Sequence, residues 1–512
     1  MYYMSIRLFL NSTVFFVFLL FSSFAVAQLN QPDRFEIPIE NLEYEVISAD
    51  SNGLFLITKN SRLRTNENGW RVIMLDTLFN LLWAREYVVP AKQTLLGKYY
   101  EGGKLHFLFA KNDPKDRNLE LISFEQETGG AESKVIRNYI PLALFDFKVL
   151  DNAIVVVGYY NYRPLVLHFD FESQVPSILP GLFMEDASIT QLKVNPNKTF
   201  SIVVKGQNFD REVTVFLFTY SFRGELISKV ALDTQQKKSL LFAQTVPLSS
   251  QAQMIAGVYG NRNSEYSKGI FLANVNEYGE QQIQYINYAD LSNFFNYLKD
   301  RKEQRIRKRI ARRRAKDKKL KFTYRLLVHD IIEDNGNYIV LGEAFYPKYK
   351  QVQGDYFGLF TPAWTVNRGL FKTNYIFDGY QYTHAVVLGF NQKGKLLWDN
   401  SFEINDVRTF ELEQFVHATK VDDKLALLYV FNDKIRTKLI KENAVVEDKE
   451  FVPIQLKYEN DILQEGSTEI FGLKSWYGNT LFTYGKQTIK NLQTAGVELK
   501  REVFFINKVL YK

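Results

Sequence analysis

From residue 44 onward, short and very apolar runs alternate with turns rich in Gly, Asn and Asp. YEVISADSNGLFLITK (44–59) reads as strand, turn, strand, because β-branched and aromatic residues fill two short runs on either side of a turn-forming segment. The same form returns as TLLGKYYEGGKLHFLFAK (94–111), LFDFKVLDNAIVVVGYY (144–160) and ITQLKVNPNKTFSIVVKG (189–206). It returns again as LLVHDIIEDNGNYIVLGEAF (326–345), FVHATKVDDKLALLYVF (415–431) and EIFGLKSWYGNTLFTYGK (469–486), with a weaker copy, LFAQTVPLSSQAQMIAGVYG, at 241–260. Each copy is followed by a second strand–turn–strand, as in VTVFLFTYSFRGELISKVAL (213–232). Once two insertions are removed, the turn-to-turn spacing is about 45 to 55 residues.

Four short strands per unit at that period predict an all-β fold, a β-propeller of about eight four-stranded blades, with seven as the alternative. Residues 28–512 form one domain in this reading. The chain resembles the β-propeller superfamily, especially PQQ-like and WD40-like repeats. The residues that carry the resemblance are Lys393-Gly394-Lys395-Leu396-Leu397-Trp398, echoed by Asn80-Leu81-Leu82-Trp83. It is also similar to secreted propellers of Bacteroidota. The Gly-His and Trp-Asp pairs of WD40 repeats do not recur from unit to unit. Nor does a Trp motif stand at one position in every blade, so no quinone or other cofactor is implied.

The period is broken twice. One insertion, 291–321, lies between the fourth strand of unit five and the first of unit six; the other, 347–381, lies between the second and third strands of unit six. Loops joining strand four to strand one and strand two to strand three leave a propeller on the same face, so both insertions decorate one face. The first has no Gly or Pro and is rich in Arg, Lys, Ala and Gln, which predicts a basic α-helix. Phe294, Phe295 and Leu298 give it an apolar start, and Ile306 and Ile310 extend that stripe only thinly, so the basic half is expected to project from the ring. The second insertion carries nine aromatics, Tyr356, Phe360 and Trp364 among them, and reads as a long aromatic hairpin.

Charge sharpens this picture. Residues 301–319 hold 12 Lys or Arg against two acids, a local charge of +10, in a chain whose net charge is +7. Take away that run and Arg7, and the remainder sits at −4, so the basic character belongs to one segment. At the N-terminus, Arg7 precedes an apolar run (Leu8 to Phe24) and an Ala25-Val26-Ala27 site. This predicts a secretory signal peptide, residues 1–27, cleaved after Ala27, against the alternative of an uncleaved membrane anchor. No later run is long and apolar enough to span a bilayer, so the processed chain is expected in the periplasm or at the cell surface. There is no cysteine, which excludes disulfides, thiolate chemistry and Cys-ligated metals.

Candidate chemistry is sparse. The five histidines show no metal-ligand spacing, and no nucleophile elbow, phosphate loop or dinucleotide fingerprint is present. His329 and His417 follow Val at matching places in two first strands, so they are expected near each other at the channel, packing between blades. The expectation is a non-catalytic cell-envelope binding or scaffolding propeller without metal or cofactor. Its partner would be an envelope protein or an anionic lipid or glycan, with nucleic acid the weaker candidate. Arg305, Arg309, Arg312 and Arg313 would supply attraction, and Tyr356, Phe360 and Trp364 apolar anchoring. The alternative is a glycan-binding or glycan-cleaving propeller, a hydrolase or lyase, with its site at the channel mouth.

Overall fold

A computed structural model describes residues 29–39, 42–60, 67–113, 116–234, 238–248, 252–262, 264–318, 320, 322–329, 331–352, 374–492, 494 and 496–511. Eight antiparallel sheets follow one another along the chain, and together they make an eight-bladed β-propeller. Blades one to five span 44–90, 93–136, 143–178, 188–231 and 238–287, each a four-stranded meander. Blade six (325–409) and blade seven (417–453) follow, and the first full strand of blade eight is Glu469–Ser475, with Asp461–Leu463 pairing at the end of its second strand. Blade five, whose sequence repeat is diluted by Gln and Ser, is as complete as the others.

The turns behave as their residues dictate. Gly102-Gly103 (φ +57° and +76°) and Asn335-Gly336 (φ +50° and +75°) each place two consecutive residues in the left-handed region. That is the type I′ geometry whose twist matches a two-residue hairpin. The second strand of each blade is sandwiched between neighbouring sheets and is apolar on both faces. Ile202, Val203 and Val204 of blade four, for example, are all fully buried. Each such side chain contributes about 1.5 to 3 kcal/mol by leaving water. The fourth strands form the outer rim, and that of blade seven (Ala444–Pro453) is exposed along most of its length.

The ring closes by exchange between the two ends of the chain. Arg34–Pro38 pairs with the third strand of blade eight, from Arg34 opposite Asn507 to Pro38 opposite Val503, and so becomes that blade's outer strand. Arg34 donates to Glu36 (2.7 Å), Asn507 (2.9 Å) and Gln487 (2.8 Å) and stacks over the Phe505 ring. Arg501 joins Glu36 (3.2 Å) to the fully buried Asp461 carboxylate (2.9 Å). Burial pushes the Asp461 carboxyl up, but Arg501 and Asn491 outweigh it and hold the group below its ordinary value.

The two copies of the Leu-Leu-Trp motif do different work. Trp83 reaches from blade one into blade two, where its indole N–H donates to the Gln126 carbonyl (2.7 Å) and its ring lies against Gly129. Trp398 instead covers Gly389 of its own blade, where a Cβ would sit 2.2 Å from the indole.

Candidate binding site: the groove between helix and hairpin

The first insertion is helical only over Asp300–Arg314; residues 292–298 are bends and turns. The cause is tertiary. The buried Asp399 carboxylate, on the fourth strand of blade six, accepts from the backbone N–H of Ser292 (2.8 Å) and of Asn293 (2.6 Å). Burial raises the Asp399 carboxyl, opposed by those N–H groups. Ser401 Oγ donates to the Asn293 carbonyl (2.8 Å), closing the clamp. The helix then starts with Asp300 and Glu303 in its first turn and ends on Arg312, Arg313 and Arg314, which suits the helix dipole at both ends.

The basic half does not project from the ring. Ile310 is buried, and with Ile306 it packs into the core between blades five and six, beside Leu291, Phe294 and Phe295. Two arginines tie the same face down. Arg307 bonds Glu303 (2.6 Å), the Ser292 carbonyl (2.8 Å) and Asn296 (2.7 Å); Arg314 bonds the Ala289 carbonyl (2.9 Å) and Asp290 (2.7 Å). One buried and one half-buried isoleucine, with two long side chains, suffice to lay the helix along the rim, where a wider apolar stripe was expected.

Beneath this segment lies an aromatic cage around His384, at the foot of the hairpin. Tyr297 stacks on the imidazole (centroids 3.7 Å apart, planes 4° apart), while Phe294 and Tyr324 meet it edge-on at 5.0 and 5.6 Å. Thr383 Oγ1 is 3.0 Å from Nδ1, and Nε2 finds no hydrogen-bond partner among the described residues. Burial pushes this imidazole down to about 3.

The second insertion is a hairpin in continuity with blade six. Its strands, Asn337–Val352 and Asn374–Asn391, stay paired out to Val352 opposite Asn374. Its base carries an aromatic ladder, Tyr349–Phe377–Tyr380–Phe345, with successive centroids 6.0, 4.9 and 5.5 Å apart. Phe410 joins Phe377 at 6.4 Å.

Helix and hairpin enclose one groove of about 1020 Å³. Lys299, Arg301, Lys302 and Arg305 form the helix wall, Tyr346, Gln381 and Tyr382 the hairpin wall, and Glu403, Asn405 and Asp406 the floor. Glu403 is neutralised by Lys449, and the four helix-wall cations outnumber the two remaining lining acids, Asp300 and Asp406, so the groove is net positive. The sequence-predicted residues fall in different places. Arg305 lines the groove; Arg309 lies over the Phe322 ring, and Arg312 faces solvent one turn on. Arg313 is half-buried. Tyr356, Phe360 and Trp364 lie outside the described residues. Sequence reasoning missed Tyr346, Gln381 and the floor, which only strand register brings under the helix.

The two histidines singled out from sequence do lie together. Burial pushes His417 down to about 4, and neighbouring His329 adds to the shift. A carboxylate lies beside them. Glu343, fully buried on the second strand of blade six, sits 2.8 Å from His329 Nε2 and accepts from the backbone N–H of Val416 (2.5 Å) and Phe415 (3.1 Å). Every oxygen of Glu343 is thus committed to joining blade six to blade seven, a packing role. No cluster of metal-ligating side chains occurs among the described residues, and no described helix is long and apolar enough to cross a membrane.

No protein-family model and no curated protein matches the sequence. Solved structures to which it is similar include the β-propeller domain of the Trilobed protease from Pyrococcus furiosus (10% identity, TM-score 0.36, 79% of this chain and 97% of that one). The polysaccharide lyase Uly1 matches at 10% identity and TM-score 0.36, over 81% of this chain and 89% of that one. The Dos1 propeller matches at 10% and 0.39, over 83% and 98%. Likenesses at this level carry no argument about substrate or activity.

Proposed function

We propose that this propeller is a non-catalytic binding or scaffolding module of the cell envelope that engages an acidic partner on its decorated face. The observation that carries the reading is the convergence of both insertions on one groove whose helix wall presents Lys299, Arg301, Lys302 and Arg305. None of Arg301, Lys302 and Arg305 has an ion-pair partner among the described residues. Four clustered cations beside an exposed tyrosine attract anionic groups at range and then offer a ring for apolar contact. Tyr356, Phe360 and Trp364, which lie in the sequence between the two hairpin strands, extend that contact in this reading. Export, with residues 1–27 as the leader, is part of the same proposal.

The test is charge reversal on the groove wall, Arg301→Glu with Lys302→Glu and Arg305→Glu, with retention on immobilised polyglutamate as the readout. The wild-type chain should bind at low salt and release as salt rises, and the triple variant should lose at least tenfold in affinity while keeping its β-sheet circular dichroism. Equal retention of the two proteins would sink the reading.

A further inference from the structure

Exposed aromatic side chains are not shared evenly between the two faces of the ring. Of twelve exposed Phe and Tyr residues among those described, nine lie on connections between strands four and one or strands two and three, hairpin included. Only Tyr278 lies on the opposite face, and two more sit within strands. The nine are spread around the ring. Tyr162 belongs to blade three, Phe183 to the link into blade four, Phe209 to blade four, Tyr266 to blade five, Tyr349 to blade six, and Phe410 to the link into blade seven. Tyr162 is 94% exposed and Phe209 fully so. An exposed ring costs free energy in water, and single ones are commonplace, but nine on one face against one on the other is a pattern.

The cations keep the same company. Along the helix, Arg301, Arg305, Lys308 and Arg312 recur at intervals of four, three and four residues, a single stripe about 16 Å long at 1.5 Å per residue. All four are exposed and free of ion pairs among the described residues. Elsewhere on this face Arg163 lies 5.0 Å from the Phe183 ring and Arg325 5.0 Å from Tyr266, each also paired with a carboxylate, Glu185 and Glu265, so the free positive charge rests on the helix stripe. A ring beside a guanidinium is the composition of a water–lipid interface, where aromatic rings sit at headgroup level and Lys or Arg meets phosphate.

From this we propose that the decorated face docks on an anionic phospholipid bilayer, with the helix stripe on the headgroups and the aromatic loops in the interface. The proposal rests on the reading above and names the partner. A ligand held in the groove touches only blade six and the helix. The aromatic loops run from blade three to the link into blade seven; a cavity of about 600 Å³ between blades four, five and six takes in Gln207, Glu265 and Leu412 from several of them but none of their exposed rings, and a flat, extended surface is what reaches those rings together. Each interfacial cation is worth about fivefold in partitioning at low salt, so the helix stripe supplies attraction and the loops supply depth.

The experiment is flotation of the whole chain with vesicles of phosphatidylcholine alone and of phosphatidylcholine mixed with phosphatidylglycerol. Two variants are floated alongside it. One is Tyr162→Ser with Phe209→Ser, far from the groove and too exposed to affect folding; the other is Arg301→Glu, Arg305→Glu, Lys308→Glu and Arg312→Glu. Polyglutamate binding is measured in parallel. Support is flotation with the anionic vesicles only, weakened at least fivefold by the aromatic pair and at least fiftyfold by the helix variant, with polyglutamate binding untouched by the aromatic pair. Polyglutamate binding without vesicle binding overturns the bilayer and leaves the acidic-partner reading standing. Vesicle binding that ignores the aromatic pair overturns the ring-wide footprint. Binding to neither overturns both readings.

Discussion

His384 offers a clean test of how the insertion is held. Its imidazole is caged by Phe294, Tyr297 and Tyr324, and burial holds it at about 3, against 6.5 for a free histidine. Because the folded value is depressed, the unfolded chain binds one more proton than the folded chain between about pH 6.5 and pH 3. Stability from this group is therefore full above pH 6.5 and drains away as pH falls toward 3. From pH 7 to pH 5 the unfolded imidazole goes from mostly neutral to almost wholly charged while the folded one stays neutral, a loss on the order of 2 kcal/mol. His384→Phe keeps the ring stack on Tyr297, loses one hydrogen bond to Thr383, and removes the titration. At pH 7 the variant should lie within about 1 kcal/mol of wild type. Between pH 7 and pH 5 it should lose about 2 kcal/mol less than wild type does. Urea unfolding, followed by tryptophan fluorescence and circular dichroism, reads this wherever the two probes coincide. An equal pH-dependent loss in both proteins would refute a neutral, caged His384.

Two other perturbations address docking and closure. Ile310→Ala removes a buried anchor of the helix and should cost about 2 to 4 kcal/mol locally. It should expose the arginine-rich segment to trypsin well before the blades are cut, as followed by mass spectrometry of the first fragments. Arg501→Ala leaves the buried Asp461 carboxylate without its cation, and Glu36 with Arg34 alone, and should cost about 3 to 5 kcal/mol. Hydrogen exchange should then speed up first in Arg34–Pro38 and the third strand of blade eight, and uniform protection across all blades would argue against a closure held by this network.

The blades were legible because an apolar strand sandwiched between sheets leaves a strong signal. AIVVVGYY and SIVVKG need no partner sequence to be read as strands, and their spacing gave eight units. Blade five was faint because Gln and Ser interrupt its apolar runs in the sequence, while its second strand, Gln253–Asn261, kept the pattern. The stretch around Phe294 and Phe295 looked helical by composition, but Asp399, more than a hundred residues on, captures its first N–H groups and bends it. Propensity yields to a buried carboxylate there. The projecting helix was misjudged for a related reason: Ile306 and Ile310 make a narrow stripe, and the stems and heads of Arg307 and Arg314 complete the docked face. Glu343 was passed over because the register that sets it opposite Leu327 and beside His329 is not written in either strand alone. The same holds for Glu403, Asn405 and Asp406, which become the floor of the groove only through their position on the fourth strand of blade six and the link beyond it.

The way the ring closes also orients the molecule. Leu29 pairs with Tyr511, at the far end of a strand whose start, Lys500, lies on the decorated side. The chain ahead of Leu29 therefore leaves from the bare side, opposite helix and hairpin, and Tyr511 ends there too. A label or a tether placed ahead of Leu29 or beyond Tyr511 leaves the helix and hairpin side facing outward, which suits immobilised assays. The geometry also separates two topologies. If Leu8–Phe24 stays attached and inserts, the bare side faces that bilayer and the helix and hairpin reach across to a second one, making the ring a spacer. If the chain is instead exported and cut behind Ala27, the ring is free to turn over, and on the docking proposed above the helix and hairpin could settle on the membrane just crossed.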